Sequence, residues 1–439
     1  MTILNFKPLA KKIKFDDNVN VLRSNAHQIF QAGIAAANPY DAVKQHFVLD
    51  ENYSKIHIIA FGKAACAMAN AAQELIPPNL LGETIAVTNY ENVVAVENIE
   101  MIGASHPLPD SAGFEAAKRI AEIAKNAKFD ELVLVLISGG GSALIPYPVD
   151  SISLDEKIAT TNLLLSCGAT IHEINCIRKH LSQLKGGNLA KIISPAKCHA
   201  LILSDVLGDD LSVIASGTTV ADKSTFAEAI AMLKSKNVWH DAPQSVKNYL
   251  EKAISETPKV IENVTNTLIG SNEMSVETAV KAAQLLGYEV IRYDYPLCGE
   301  AREVAEEFVL AAKNTRFENE KIALITGGET TVTLRGNGKG GRNQEMAFAF
   351  AIAAEKHGLT NEWVFLSGGT DGIDGVSPAA GGIVDAGTLQ RMKNAGVIPD
   401  ELLENNDSYH ALKSSNDLLM TGATGTNVAD LQILLIHTK

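Results

Sequence analysis

The chain has 439 residues, of which 46% are hydrophobic and 20% charged, and its formal net charge is −13 at pH 7. Because this length exceeds what one hydrophobic core usually serves, two domains are expected, and the composition is that of a folded protein. The acidic balance argues against nucleic acid and anionic membranes as partners, since both attract basic surfaces. A small anionic substrate remains compatible with it, because a local pocket of Lys and Arg can still be positive.

Targeting signals and cysteine usage indicate the compartment. No apolar stretch reaches the roughly 18 residues that span a bilayer. The N-terminal residues 1–17 contain four lysines and no apolar core, so no signal peptide is expected. The five cysteines are scattered and include no C-x-x-C pair, which predicts reduced thiols. We therefore expect a cytoplasmic protein.

Short apolar runs alternate with helical patterns along the first half of the chain. The runs at 57–61, 132–137 and 199–203 each end in a turn rich in Gly, Ser or Asp. Continuous apolar runs of this length between helices predict a parallel sheet covered on both faces. The fold class is therefore α/β.

The same pattern restarts after Thr257, with further apolar runs at 322–325 and 364–366. The polar stretch 249–263 is the best candidate linker, so the predicted domains are 1–257 and 258–439. Ligands of an open α/β sheet bind beyond the carboxyl ends of its strands. Glycines, hydroxyls and acids lie at these ends in both halves, and the simplest arrangement is one cleft between two domains.

A glycine-rich turn follows the apolar run at 132–137. It consists of Ser138, Gly139, Gly140, Gly141 and Ser142. Glycines let the backbone come close to a ligand, and successive N–H groups can form a nest for an anion. Phosphate binding is favoured over the simpler interpretation, a tight exit from a strand.

Two lysines could extend a phosphate site. Lys63 follows a strand and precedes a helix, where its ammonium and the helix N-terminus can both face an anion. Lys185 and Gly186 lie in the segment 179–187, which contains two lysines and a histidine. That segment fits a basic rim and an ordinary solvated helix face equally well.

Acidic turns stand at two strand ends. Asp205 is followed by Asp209 and Asp210, and Asp371 is followed by Asp374. Carboxylates in such positions suit Mg²⁺ or a base for a substrate hydroxyl, although Asp is also a common turn residue.

Gly336, Gly338 and Gly341 form a G-x-G-x-x-G pattern between a strand and a helix. The next acid at a strand end, Asp371, is farther away than the roughly 20 residues expected of a dinucleotide site. The nearby Lys339 and Arg342 suit phosphate better than a ribose hydroxyl, so NAD is disfavoured. Unaided, these patterns indicate a two-domain α/β enzyme that handles phosphate.

Taken together, the motifs resemble the type II glycerate kinases, the family whose C-terminal half is the MOFRL domain. The matching segments are 61–65, 105–110, 138–144, 179–190, 203–209, 299–303, 326–330, 340–345, 370–375 and 424–427. The resemblance implies an N-terminal Rossmann-like doubly wound parallel sheet, a smaller C-terminal α/β domain, and a cleft where ATP, Mg²⁺ and glycerate meet.

The same resemblance assigns roles to individual residues. Lys63, Asp205 and Arg342 match the expected catalytic trio by position. The two acidic turns make Asp205 and Asp371 the predicted metal carboxylates, and either of them could be the ligand. ATP binding is carried over to the glycine-rich turn 138–142 and to a second set: Lys185, Gly186, Gly327, Glu329 and Asn343. The implied reaction converts D-glycerate and ATP to 2-phosphoglycerate and ADP.

Two other functions stay open from the sequence. One is an NAD(P)-dependent hydroxypyruvate reductase, supported by the three glycines alone, and the other is a non-catalytic nucleotide sensor. The regiochemistry, the D/L preference and the oligomeric state are also open, with a homodimer among the options.

Overall fold

The protein is described by a computed structural model that covers residues 17–49, 52–314 and 319–438. Residues 1–16, which make up nearly all of the segment in which no signal peptide is expected, lie outside the described residues. Among the described residues, no helix combines the length and apolar character needed to cross a bilayer.

The chain divides into two compact units. The N-terminal unit contains residues 34–275 and the short segment 425–429. The C-terminal unit contains the described residues before position 34, residues 276–424 and the chain from position 430 onward. The units therefore change after residue 275, later than the predicted boundary at 257/258, because the strand at 264–270 belongs to the first sheet.

The described residues form sixteen α-helices and thirteen strands. The helices are α1 Asp17–Ala36, α2 Pro39–His46, α3 Ala65–Leu75, α4 Ser111–Asn126, α5 Gly141–Leu144, α6 Leu154–Ser166, α7 Ile171–His180, α8 Asn188–Ile193, α9 Phe226–Ser235, α10 Gln244–Lys252, α11 Asn272–Leu285, α12 Ala301–Asn314, α13 Arg342–His357, α14 Thr388–Asn394, α15 Pro399–Glu404 and α16 Ser408–Ser415. The strands are β1 Ile56–Phe61, β2 Leu81–Asn89, β3 Glu100–Ala104, β4 Leu132–Ile137, β5 Lys197–Leu203, β6 Val264–Gly270, β7 Glu289–Arg292, β8 Leu297–Glu300, β9 Lys321–Thr331, β10 Glu362–Gly369, β11 Gly381–Asp385, β12 Leu418–Leu419 and β13 Asp430–His437.

The sheet of the N-terminal unit has six parallel strands in the order β3-β2-β1-β4-β5-β6. This is the strand order of the Rossmann fold, so the predicted doubly wound sheet is confirmed. Strands β1 and β4 are buried along their whole length, as their continuous apolar runs predict.

Helices cover both faces of this sheet. Because successive side chains of a strand point to opposite faces, β1 contributes to two separate cores. Ile59 and Phe61 pack with α4, whereas Ile58 and Ala60 pack with the alanine-rich α3. The chain leaves the C-terminal ends of β1 and β4 toward α3 and α5, and this is the point where the strand order reverses.

The sheet of the C-terminal unit has seven strands of mixed direction in the order β12-β11-β10-β13-β9-β7, and β8 also pairs with β9. The predicted α/β class of this unit is confirmed. Strand β9 continues to Thr331, so Gly327 lies inside the strand and pairs with Leu431, whereas the sequence analysis expected the strand to end at residue 325. The extension exists because Gly328 lets β8 approach: a Cβ there would overlap the Leu297 backbone.

The turn after β1 depends on the absence of a side chain at Gly62. Its φ is +121°, and a Cβ there would overlap the Ser138 hydroxyl and carbonyl. We expect Gly62→Ala to lower the free energy of unfolding by about 3 kcal/mol or more, from strain and overlap together. Urea denaturation measures this loss.

Gly168 provides the matched control, because its φ is +68° and no atom lies within 4 Å of a Cβ built there. Gly168→Ala therefore carries the backbone strain alone and should cost about 1 kcal/mol. Equal losses for the two variants would contradict the close approach at Gly62.

Candidate functional site

The reversal of strand order brings the turn after β1 and the turn after β4 together. The backbone N–H of Lys63 donates to the Gly139 carbonyl at 2.9 Å, and the N–H of Ala64 donates to the Ser138 hydroxyl at 3.1 Å. Thr88 and Asn92 donate to the Lys63 carbonyl. Lys63 is therefore held against the glycine-rich turn.

The ammonium group of Lys63 has no hydrogen-bond or ion-pair partner in the part of the chain that the structure describes. Its side chain and the His106 ring flank Gly140, where a Cβ would lie 3.4 Å from Lys63 Cγ and 3.1 Å from His106 Cδ2. Burial, and then the charge of Lys63, lower the pKa of His106. A neutral histidine adds no charge of its own beside Lys63, so the Lys63 ammonium is the cation that this turn can offer to an anion.

Asp205 completes this group from the end of β5. A Cβ on Gly139 would overlap the Asp205 carboxylate, so glycine is needed for the two segments to come this close. Asp210 instead accepts the backbone N–H of Ser212 at 2.9 Å, and Asp209 has a φ of +53°. Of the first acidic cluster, Asp205 thus faces the glycine-rich turn, whereas Asp210 shapes its own loop.

The arrangement of acids limits how a metal could bind. Within residues 17–49, 52–314 and 319–438, no three His, Cys, Asp or Glu side chains converge as a ligand set. Mg²⁺ commonly keeps several waters and uses one or two carboxylates together with substrate phosphates. Asp205 beside the backbone of Gly139 fits that mode, in which the nucleotide supplies most of the ligands.

The segment around Lys185 is buried, so its interpretation as a solvated helix face is wrong. Lys185 is 2% exposed and its ammonium donates to the Ser142 carbonyl at 2.6 Å. Lys179 is also buried and pairs with Asp222 at 3.2 Å. Ser142 contacts the Ser216 hydroxyl at 2.9 Å, and the N–H of Gly186 donates to the Ser216 carbonyl at 3.0 Å.

Lys185 belongs to a group that the sequence analysis did not identify, the buried cation cluster of Lys157, Arg178 and Lys185. Burial, and then the charge of Arg178, lower the pKa of Lys157 to about 7. Burial, and then the charges of Lys157 and Arg178, lower the pKa of Lys185 well below its usual value. Burial also lowers the pKa of Arg178.

No acid neutralises this cluster within the described part of the chain: none of the three side chains forms an ion pair there. The ammonium of Lys157 is buried without any hydrogen-bond partner. The sequence does not predict this cluster, because a lysine in α6 and an arginine in α7 are typical of exposed helix surfaces. Their burial becomes evident only when the two helices are seen packed in the structure.

In the C-terminal unit, Arg342 is fixed by two acids at the start of α13. Its guanidinium makes two bonds to Asp430, at 2.6 and 2.9 Å, and one to Glu329 at 2.6 Å. Burial acts to lower the pKa of Arg342, but Asp430 and Glu329 outweigh it and raise the pKa above its usual value. Burial raises the pKa of Asp430 to about 6, against the effect of the paired guanidinium.

A second acid supports the same helix start. Asp374 accepts the backbone N–H groups of Asn343 at 3.2 Å and Gln344 at 2.8 Å. Asn343 is 1% exposed and also accepts from the Ser367 hydroxyl. These bonds satisfy amides at the N-terminus of α13 and offset the placement of Arg342 there, since a cation is unfavourable at that end of a helix. Asn343 therefore already has a structural role.

The predicted metal carboxylate Asp371 lies near this group. A Cβ on Gly369 would lie 3.3 Å from Asp371 Oδ1 and 3.6 Å from Asp430 Oδ1, so both carboxylates border the same glycine. Asp371 also accepts the backbone N–H of Ile373 at 3.0 Å. The site residues Arg342, Glu329, Asn343 and Asp371 thus form a second group, with Asp430 as the member that the sequence analysis missed.

The G-x-G-x-x-G glycines pack against the loop between α15 and α16. The N–H of Gly336 donates to Asn406 Oδ1 at 3.0 Å, and that of Gly338 donates to the Asn405 carbonyl at 2.9 Å. A Cβ on Gly336 or Gly338 would overlap this loop. These amides are engaged within the protein, which agrees with the sequence argument against a dinucleotide site.

Fold and site together define a two-domain α/β protein in which Lys63 and Asp205 meet a glycine-lined turn at the strand-order reversal. Residues 25–251 match the model of a domain of unknown function, DUF4147, and residues 322–430 match the MOFRL family. The chain is 41% identical to D-glycerate 2-kinase of Thermotoga maritima, over 94% of this chain and 98% of that protein. It is 39% identical to glycerate 2-kinase of Pyrococcus horikoshii, over 92% and 95%.

The crystal structure of glycerate kinase from Thermotoga maritima superposes with a TM-score of 0.89 and covers 95% of this chain and all of that one. A relative from Agrobacterium vitis, 39% identical over 94% of each chain, bears the provisional name hydroxypyruvate reductase. The chain belongs to the glycerate 2-kinase family that combines a DUF4147 domain with a MOFRL domain. The resemblance seen in the sequence is confirmed.

The two partners of Arg342 should differ sharply in their contribution to stability. Asp430 is 1% exposed and Glu329 has 47% of its side chain exposed. We expect Asp430→Asn to lower the free energy of unfolding by about 2 kcal/mol or more, because the partly buried guanidinium then keeps only the exposed Glu329 as its counter-charge. Glu329→Gln should cost less than about 1 kcal/mol. Comparable losses in denaturant titrations would show that Asp430 does not anchor Arg342.

Lys157 should make stability depend on pH. Below pH 7 it is charged in both the folded and the unfolded chain, so its burial is fully unfavourable. Between about 7 and 10.5 the folded chain has released the proton while the unfolded chain keeps it, so the free energy of unfolding rises with pH. Lys157→Met should flatten that rise. Unfolding in urea at pH 6.5 and 9, in phosphate-free buffer, tests this, and an unchanged slope in the variant would refute it.

Proposed function

We propose that this protein is an ATP-dependent glycerate 2-kinase, which transfers the γ-phosphoryl group of ATP to the C2 hydroxyl of D-glycerate and releases 2-phosphoglycerate and ADP. Membership of the glycerate 2-kinase family supports the reaction. The observation that carries it at the level of residues is the position of Lys63 where the strand order reverses: its backbone is bonded to Gly139, its side chain flanks Gly140, and its ammonium has no partner among the described residues.

Phosphoryl transfer requires mainly positioning and stabilisation of negative charge. In the proposed mechanism the Lys63 ammonium neutralises charge on the transferring phosphoryl group. Because Gly139 and Gly140 have no side chains, Asp205, His106 and Lys63 can gather at the turn where the phosphates would bind. Ser138 keeps the turn after β1 in place by accepting the Ala64 N–H.

Asp205 has two chemically reasonable tasks, to hold Mg²⁺ or to accept the proton of the glycerate hydroxyl. When bound, Mg²⁺ would supply charge neutralisation on the ATP phosphates. We assign Asp205 to the metal in the N-terminal unit, and Asp371 remains the candidate carboxylate of the C-terminal unit. Asp205→Asn should raise the Mg²⁺ concentration needed for half-maximal rate if this assignment holds.

For Arg342 we propose a role in binding an anion of the substrate. Asp430 holds one side of the guanidinium in a buried bidentate pair, while the partner on the other side, Glu329, is half exposed. An exposed ion pair contributes less than about 1 kcal/mol, so an incoming carboxylate or phosphoryl group can replace it. Asp430 then positions Arg342 without itself contacting substrate.

The reductase alternative receives no support from these residues. It would place a dinucleotide phosphate on the glycines of the segment 336–341. Four consecutive amides there, those of Gly336, Asn337, Gly338 and Lys339, already donate to the loop at 405–407. For the compartment we propose the cytoplasm, because ATP is available there and all five cysteines are free thiols.

The decisive assay couples ADP release to NADH oxidation with D-glycerate, ATP and Mg²⁺. We expect glycerate-dependent ADP release, and we expect Lys63→Ala to lower kcat/KM by about 10²–10³-fold, because it removes a preorganised charge at the reacting phosphate. NMR of the product identifies the phosphorylated hydroxyl.

Lys118→Ala is the control, since Lys118 is an exposed lysine of the same unit, paired with Glu115 on the surface of α4. Its kcat/KM should match that of the wild type. Consumption of NADH with hydroxypyruvate, with no glycerate-dependent ADP release, would overturn the kinase assignment in favour of the reductase.

A further inference from the structure

The buried cation cluster is an unusual element of a folded protein. Lys157 is 5% and Lys185 2% exposed, and with Arg178 they bring three basic side chains into one region. Burying a charge without a partner is strongly unfavourable, and buried charges are normally paired. Within the described residues, however, the only hydrogen bond that these three side chains donate is that of Lys185 to a carbonyl.

The cluster is connected to the glycine-rich turn. The carbonyl that accepts from Lys185 belongs to Ser142, the last residue of that turn, at 2.6 Å. The Ser142 hydroxyl contacts Ser216, whose hydroxyl donates to Asn175 on α7, the helix that also carries Arg178. The cluster therefore contacts the C-terminal end of the turn at Ser142, whereas Lys63 contacts the same turn at Gly139.

The backbone opposite Ser142 is strained. Ala215, Ser216 and Gly217 have φ values of +47°, +57° and +63°, a left-handed run that costs about 1–2 kcal/mol for each non-glycine residue. The carbonyls of Ser216 and Gly217 accept the N–H groups of Gly186 and Gly187, next to Lys185. The next residue, Thr218, has a buried hydroxyl without a partner. Strain and unpaired polar groups of this kind concentrate at ligand sites.

We propose that Lys157, Arg178 and Lys185 bind the polyphosphate chain of the nucleotide. This inference rests on the proposed kinase function, in which a nucleoside triphosphate is the donor, and it adds two binding residues, Lys157 and Arg178, to the site. The charge of the ligand favours phosphate over substrate: a nucleoside di- or triphosphate carries several negative charges, whereas glycerate carries one. Arg178, the least buried of the three, can in addition make bidentate contacts to phosphate.

A polyphosphate bound beside the cluster would change its protonation. Burial lowers the pKa of Lys157 to about 7 in the protein without ligand, and a polyphosphate beside it favours the charged form. Binding should therefore take up protons near pH 8. A purely structural lysine would not produce this signature.

The test is calorimetric titration of ADP and of tripolyphosphate into the wild type, Lys157→Met, Arg178→Met and Arg178→Lys. We expect each methionine variant to weaken both ligands by about ten- to hundredfold, since each removes a charged hydrogen-bond donor. Arg178→Lys should keep most of the affinity. Titration at pH 8 in buffers of different ionisation enthalpy should show proton uptake in the wild type and less in Lys157→Met.

Lys252→Met is the control, an exposed lysine on α10 of the same unit, and it should bind ADP as the wild type does. Unchanged ADP and tripolyphosphate affinities in folded Lys157→Met and Arg178→Met would overturn the proposal. A selective rise in the KM for glycerate would also overturn it, because the cluster would then bind substrate. Lys157→Met removes a buried amino group that has no hydrogen-bond partner, so the ligand-free variant should fold with an equal or higher Tm.

The binding experiment is independent of turnover. If ADP binding depends on the cluster but glycerate is not phosphorylated, the proposed function fails while the phosphate site stands. If glycerate is phosphorylated and both methionine variants bind ADP normally, the proposed function stands and the phosphate site fails.

Discussion

The close approach of two turns, one after β1 and one after β4, is the constraint on which the N-terminal unit depends. At a reversal of strand order, the connections after two neighbouring parallel strands leave toward opposite faces of the sheet, which opens a gap beyond the carboxyl ends of the strands. Here Gly62 and Gly139 close that gap, because a Cβ on either residue would overlap Ser138 or Asp205. The same close packing holds Lys63 against Gly139 by a backbone hydrogen bond. Fold and function thus depend on the same contact.

The two units differ in whether their cationic side chains have acidic partners. In the C-terminal unit, Arg342 has a buried counter-ion in Asp430 and an exposed one in Glu329. In the N-terminal unit, Lys63 and the buried cation cluster have no acidic partner among the described residues. Uncompensated charge lowers the stability of the ligand-free protein, and an anionic ligand restores that stability when it binds. This difference is the physical reason to place the phosphates of ATP on the N-terminal unit.

Much of the N-terminal unit could be predicted from the sequence because its signals are local. Runs of buried apolar residues identify β1, β4 and β5, and the glycines and Lys63 follow those runs directly. The extent of β9 was not predictable in this way, since Gly327 and Gly328 usually indicate a turn. They stay in the strand because β8 comes close to Gly328, and that contact joins residues far apart in the sequence.

Charge partners were the part of the site that sequence patterns could not provide. Asp430 lies at the start of the last strand, far along the chain from Arg342, and Lys179 finds its acid in Asp222 only after the chain folds. Lys157 and Arg178 lie on separate helices, and neither α6 nor α7 alone reveals that they are buried together. Motifs identify residues that act through local backbone geometry, whereas long-range electrostatic partners require the fold.

The central claim is that ATP places its phosphates on the turns that follow β1 and β4. Hydrogen–deuterium exchange with and without ATP and Mg²⁺ tests it most directly, because it reports on backbone amides region by region. ATP binding should slow exchange at residues 62–65 and 138–144, and glycerate alone should cause no such change. Protection confined to the glycine loop at 336–341, with the turns at Lys63 and Gly139 unchanged, would contradict it.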